Sequence, residues 1–234
     1  MSSAYGENRD DQKEDSLMLT SKQLNLPVYY HSKEIQRREF ILDCYNEADF
    51  DGLFEIFEEI IEDGQSYPQL TTDSKQFRQY FLSHHCFVIN EIINENKISD
   101  PSSSSSSSSS RSKSNRKNVV AGFYIKPNFP GRSSHLANYG LIVASKHRNL
   151  GLGKFMGKEC IRLARLLGFK ALYTNLVYAN NRSSISICQC LGFRQVGRIP
   201  NGGHLKNLGY VDALQFYREL DDCDTPKISE EIVF

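Results

Sequence analysis

The chain has 234 residues, 39% of them hydrophobic, and its 28 basic and 28 acidic side chains cancel to a formal charge of zero. That length and apolar content suffice for one sizeable core, while the balanced charge excludes a global field drawing the protein to nucleic acid or anionic lipid. Six cysteines (Cys44, Cys86, Cys160, Cys188, Cys190, Cys223) without a C-x-x-C pair read as reduced intracellular thiols, and no apolar run is long enough to span a bilayer.

In chain order, residues 1–16 are polar, with little to bury, and read as a disordered tail rather than a transit peptide. Residues 17–220 read as one folded domain and 221–234 as a polar C-terminal tail. Val28 to Cys44 has apolar ends around a charged middle, which suits a first strand or hairpin. Glu47 to Asp63 places Phe50, Leu53, Phe54, Phe57, Ile60 and Ile61 at helical spacing, and Gly64 closes the helix. Its acidic far side reads as a solvated surface. Ser66 to Leu70 is a turn around Pro68, and Asp73 is the N-cap of a second helix reaching about Ser83.

His85 to Ile93 and Asn118 to Ile125 read as strands. Between them, an insert at 98–117 carries an unbroken serine run and the basic RSKSNRK; such composition cannot form a core and reads as a mobile linker.

Leu136 to Ala144 reads as a strand, His147 to Phe169 as a glycine loop running into a helix, and Ala171 to Tyr178 as the next strand. Leu152, Phe155, Met156, Cys160, Leu163, Ala164 and Leu167 form the helix's apolar stripe, with Lys154, Lys158, Arg162 and Arg165 opposite. Strand, helix and strand predict a parallel crossover. In Arg148-Asn149-Leu150-Gly151-Leu152-Gly153 the glycines let backbone N–H groups curl toward an anion at the helix's positive end, so the loop is expected to bind pyrophosphate. A dinucleotide fingerprint would need a third glycine, and a P-loop would need Gly-Lys-Ser/Thr.

Asn181 to Leu191 reads as a helix capped by Asn180 or Asn181 and ended by Gly192. Cys188-Gln189-Cys190 lacks a second Cys/His pair at ligand spacing, so packing rather than metal binding is expected. Phe193 to Ile199 and Tyr210 to Tyr217 are predicted as a terminal antiparallel pair joined by a turn over Asn201 to Asn207. Together these elements predict an α/β (α+β) fold, with a mixed, mostly antiparallel sheet, one parallel unit and flanking helices.

The motif Arg148 to Gly153, with Asn181 and the helix ending at Leu191-Gly192-Phe193, resembles the GNAT superfamily of N-acetyltransferases. SYPQL (66–70), FYIKPN (123–128), SHLAN (134–138), NLVYANN (175–181) and LGFRQVGRIP (191–200) resemble, more narrowly, the fungal azetidine-2-carboxylate N-acetyltransferases. The resemblance implies acetyl-CoA as cosubstrate and no metal. The acceptor it implies is a small cyclic imino acid of the azetidine-2-carboxylate, hydroxyproline or pyrroline-carboxylate type. It carries substrate-facing roles onto Asn138 and Asn175, and coenzyme contacts onto Asn181 and Arg148, Asn149, Leu150, Gly151, Leu152, Gly153 and Lys154. Backbone N–H groups of Leu141, Ile142 and Val143 would meet the thioester.

An uncharged amide can both donate to a carboxylate and accept from an N–H, which suits a small zwitterion. Many GNAT members place a tyrosine seven residues after the coenzyme-contacting asparagine; here that position is Cys188. His135 and His147 are left unassigned, because a lone histidine beside a loop is more often structural. Other readings kept open are acetylation of proteins, histones or polyamines, and a chromatin-associated regulator with a GNAT-like domain. Expected partners are a small molecule, no nucleic acid, no membrane, with a homodimer compatible. The expected location is cytoplasmic, with nucleus or mitochondrion as alternatives.

Overall fold

Eight strands form one sheet in the order β1-β2-β3-β4-β5-β6-β8-β7. They are β1 (Val28–His31), β2 (Glu39–Cys44), β3 (His85–Ile93), β4 (Arg116–Pro127), β5 (Leu136–Val143), β6 (Ala171–Tyr178), β7 (Arg194–Leu205) and β8 (Gly209–Glu219). The helices are α1 (Phe50–Asp63), α2 (Ser74–Phe81), α3 (Leu152–Leu166) and α4 (Arg182–Cys190). The structure, a computed structural model, describes residues 21–31, 38–93 and 116–220. Both predicted tails and most of the serine-rich insert lie outside the described residues. No helix among these residues is long and apolar enough to cross a membrane.

Strand alternation sorts the core into two layers. Ala137, Tyr139, Leu141 and Val143 of β5 point toward α3, where Met156, Cys160, Leu163 and Ala164 pack. Ile142 points the other way, toward Leu53, Phe57, Phe77 and Phe81 of α1 and α2. This is the period-two pattern of a strand buried on both faces.

Local chemistry sets the helix ends as predicted. Gly64 closes α1 at φ 68°, Asp73 accepts from the Gln76 N–H at 2.7 Å, and Asn181, not Asn180, accepts from the Ser184 N–H at 3.0 Å. The β5–α3–β6 unit is parallel as expected, but its pairing is confined to Leu136↔Ala171 and Ala137↔Leu172. Beyond these pairs the strands part, leaving a wedge in the sheet. On its far side β6 pairs with β8.

Two expectations need correction. Asn201 to Asn207 is not the turn: β7 runs on to Leu205, with an irregularity between Ile199 and Gly203, and the hairpin closes before Gly209. The glycines and asparagine there are absorbed by a bulge, which takes the same residue types as a turn. Arg162, which the helical spacing puts opposite the apolar stripe, is pinned there by bonds to Glu159 at 2.8 Å and to the Leu24 carbonyl at 2.8 Å. Arg116 and Lys117 belong to β4, opposite Ile93 and Ile92, rather than to the insert.

Candidate active site

The loop before α3 is held in two left-handed residues, Asn149 at φ 65° and Gly151 at φ 77°. Asparagine tolerates that region better than most residues, and glycine enters it freely. A Cβ on Gly151 would also run into the Tyr30 hydroxyl. That hydroxyl donates to the Leu150 carbonyl at 3.1 Å, and the Tyr30 ring stacks on Phe155 at 4.5 Å. Tyr30 of β1 therefore braces the loop from beneath.

Gly153 has a different reason: a Cβ there would meet Ile187 of α4 at 2.9 Å. Leu150 and Leu152 are buried in the core and offer a ligand only their backbone. Gly151 caps α3 without a side-chain hydrogen bond, so the first N–H groups of the helix remain open donors.

Arg148 and Asn181 come together in a cleft of about 310 Å³, lined also by Asp63, Gln65, Ser66, Asn180, Arg182 and Ser183. Asn181 spends its carbonyl on the α4 cap and keeps its NH₂ as donor. Exposed cations, open helix-terminal donors and an amide suit a diphosphate, so these residues fit the phosphate end of a coenzyme.

The wedge lies next to this cleft. Ala144 donates its N–H to Val120 of β4, and alternation then turns Ile142 toward β4 while Leu141 and Val143 face the open edge. Tyr67, from the α1–α2 connection, reaches the Leu141 carbonyl at 3.4 Å. Of the three backbone positions expected at the thioester, Leu141 and Val143 are the two so oriented.

Asn138 is 9% exposed. Its Oδ1 accepts from the Tyr124 hydroxyl at 3.1 Å, and its Nδ2 donates to the Tyr173 carbonyl of β6 at 3.2 Å. It thus bridges β5 and β6 at the apex of the wedge. Asn175 is exposed, and its Nδ2 donates to Asn128 Oδ1 at 2.5 Å. The two asparagines flank the wedge without touching one another.

Around Asn138 stand phenols that sequence reasoning did not single out. Tyr80 and Tyr124 hydroxyls are 3.1 Å apart, and a Cβ on Gly140 would come within 2.6 Å of both Tyr67 and Tyr124. Burial holds Tyr67 and Tyr124 well above the ordinary phenol range, so both are neutral donors. Lys126, opposite Asn138 in register, is pushed down to about 8 by burial. The signal was present in the blocks SYPQL and FYIKPN, which contain Tyr67, Tyr124, Lys126 and Asn128, but nothing local shows that they converge.

His147 is buried and lies 3.2 Å from Glu91, which Arg38 also holds at 2.8 Å. Desolvation opposes the Glu91 charge, yet hydrogen bonds from Arg38 and His147 leave its carboxyl below the usual range. His147 is therefore structural, and His135 is exposed. Cys188 is buried, with its Sγ 3.7 Å from the Tyr139 hydroxyl, whereas Cys190 is exposed.

A parallel unit with a glycine loop at the helix mouth, and a sheet that splits beside it, is matched over residues 54–193 by the model of the acetyltransferase (GNAT) family. The chain belongs to the GNAT acetyltransferases. It is 34% identical over 154 residues to N-acetyltransferase aca1 of Schizosaccharomyces pombe, covering 65% of this chain and 71% of that protein. It is 32% identical over 104 residues to Protein SPT10 of Saccharomyces cerevisiae, covering 44% of this chain but only 16% of that protein. The fold is shared with a phosphinothricin acetyltransferase from Sinorhizobium meliloti solved with AcCoA, at TM-score 0.60 and 19% identity over 76% of this chain and 87% of that one. This GNAT protein is an acetyl-CoA-dependent N-acetyltransferase.

Proposed function

We propose that the enzyme acetylates the ring nitrogen of small cyclic imino acids such as azetidine-2-carboxylate, hydroxyproline or pyrroline carboxylate. The observation that carries this reading is Asn138 at the apex of the wedge, buried and tied to both strands, with Asn175 across from it. After these bonds Asn138 retains one amide proton and carbonyl capacity, enough to orient a small amine but not a peptide backbone. The polar groups around it among the described residues are phenols, amides and Lys126, a lining that disfavours polyamines, whose charge calls for carboxylates.

The acetyl thioester is what acetyl-CoA supplies when bound. Arg148, the N–H groups opening α3 and Asn181 would hold its diphosphate. The Leu141 and Val143 N–H groups are preorganised donors for the oxygen that gains charge. Tyr139, whose phenol burial keeps protonated, stands beside Cys188, where many relatives carry a tyrosine; we assign its Oη as the proton donor to the leaving sulfur. Positioning two reactants is worth about 7–11 kcal/mol, against about 10²–10⁴-fold for one acid or base, so water suffices as base.

A thiol-release assay with purified protein, acetyl-CoA and a panel of proline analogues, primary amines and histone peptides tests the proposal. The expected result is turnover of cyclic imino acids well above the rest. Preference for histone peptides or polyamines would overturn it.

A further inference from the structure

Lys126 stands out among the charged side chains on the acceptor side. Its Nζ donates to the Tyr80 carbonyl at 2.9 Å and lies 4.2 Å from the Tyr80 ring centre and 4.5 Å from that of Tyr124. No carboxylate among the described residues pairs with it, and burial is the sole cause that shifts it. A partly desolvated ammonium without an anion is costly, and two of its three N–H donors remain unspent. Asn128, two residues on, has a buried Nδ2 with no partner, although its Oδ1 accepts from Asn175. A free cation and an orphaned amide donor thus sit near one another beside Asn138, which Lys126 faces across the ladder.

We propose that Lys126 and Asn128 form the anchor for the acceptor's carboxylate, making the α-carboxylate an obligatory feature of the substrate. Asn138 then addresses the amine end, and the two ends of one zwitterion are read by two strands. The aromatic walls contributed by Tyr80 and Tyr124 suit the apolar ring between those ends. This deepens the imino-acid reading and rests on it.

The test compares azetidine-2-carboxylate with its carboxamide, in the full chain, by kcat/KM. Wild type is expected to favour the acid by about 100-fold, the scale of a desolvated charge pair. Lys126→Met should bring the ratio below about 5, and Lys126→Arg should keep most of it. Comparing ratios cancels the intrinsic difference in amine reactivity. An unchanged ratio in a folded Lys126→Met overturns the anchor. Should that variant not fold, calorimetry on wild type with the N-acetylated acid and its carboxamide decides: tighter binding of the acid supports the anchor, and equal affinity overturns it. Equal turnover of acid and carboxamide removes the anchor alone. Turnover of neither, with other amines accepted, removes the imino-acid reading and the anchor with it.

Discussion

Asn138 and Asn175 share an expected role but not an environment, and their substitutions should separate. Asn138→Ala removes the bonds to the Tyr124 hydroxyl, which keeps Tyr80 as a partner, and to the Tyr173 carbonyl, at about 1–3 kcal/mol of stability, besides raising KM for the imino acid. Asn175→Ala removes an exposed contact and should leave Tm within about 2 °C while still raising that KM; parallel melting curves and steady-state kinetics check both. At Gly151, alanine meets both a positive φ and the Tyr30 hydroxyl. Gly151→Ala should raise KM for acetyl-CoA about tenfold or more, and adding Tyr30→Phe should recover the steric part, leaving about 1–2 kcal/mol of backbone cost. Lys126 carries a pH signature. Unfolded, its ammonium holds a proton to about 10.5, but folded it loses it near 8, so between these values this side chain binds more protons in the unfolded chain and its contribution to stability rises with pH. In that window Tyr80 and Tyr124 are held neutral and His84, pushed below its ordinary value by burial, is uncharged. The buried cysteines and tyrosines, whose protons burial holds in the folded state, give the opposite slope there, so the signature is a difference: in urea unfolding, the stability of wild type relative to Lys126→Met should rise with pH across that window, and a flat difference contradicts it.

Among the elements, α3 carries a nearly buried ion pair in its second half that helical periodicity does not show. Glu159 and Arg162 are both nearly buried, and Arg162 also ties down the segment before β1 through the Leu24 carbonyl. Arg162→Ala leaves Glu159 as an uncompensated buried charge and should cost about 3–5 kcal/mol, whereas an apolar replacement of both partners should recover most of it; denaturant midpoints distinguish these outcomes. The α3–α4 contact is equally close, since a Cβ on Gly157 would run into Leu191. Gly153 and Gly157 therefore let α4, and with it the Asn181 cap, pack close to the Arg148–Gly153 loop.

For the whole molecule, the split between β5 and β6 is where the proposed coenzyme and acceptor ends would meet. Phe57 shows how the helical layer serves it: fully buried, it packs on Tyr67 at 5.4 Å and Tyr80 at 6.0 Å between ring centres. Phe57→Ala should cost about 3–5 kcal/mol and, in the folded fraction, raise the imino-acid KM more than that for acetyl-CoA, because Tyr67 and Tyr80 stand by the proposed acceptor end, away from the proposed diphosphate site.

What could be read from the chain alone was chemistry that is local. The Arg148 to Gly153 loop, the caps at Asp73 and Asn181 and the α3 stripe depend on residues within a few positions of one another, and the parallel crossover follows from the order of strand, helix and strand. The bulge at Ile199 to Gly203 escaped because bulges and turns recruit the same glycine and asparagine. Arg162 escaped because its partner Leu24 lies 138 positions away. Where β8 inserts, where β5 and β6 part, that Tyr30 braces the loop, and that Tyr67, Tyr80, Tyr124 and Lys126 gather about Asn138 were decided only by packing, since cross-strand neighbours and the faces they share are set by register and not by sequence proximity.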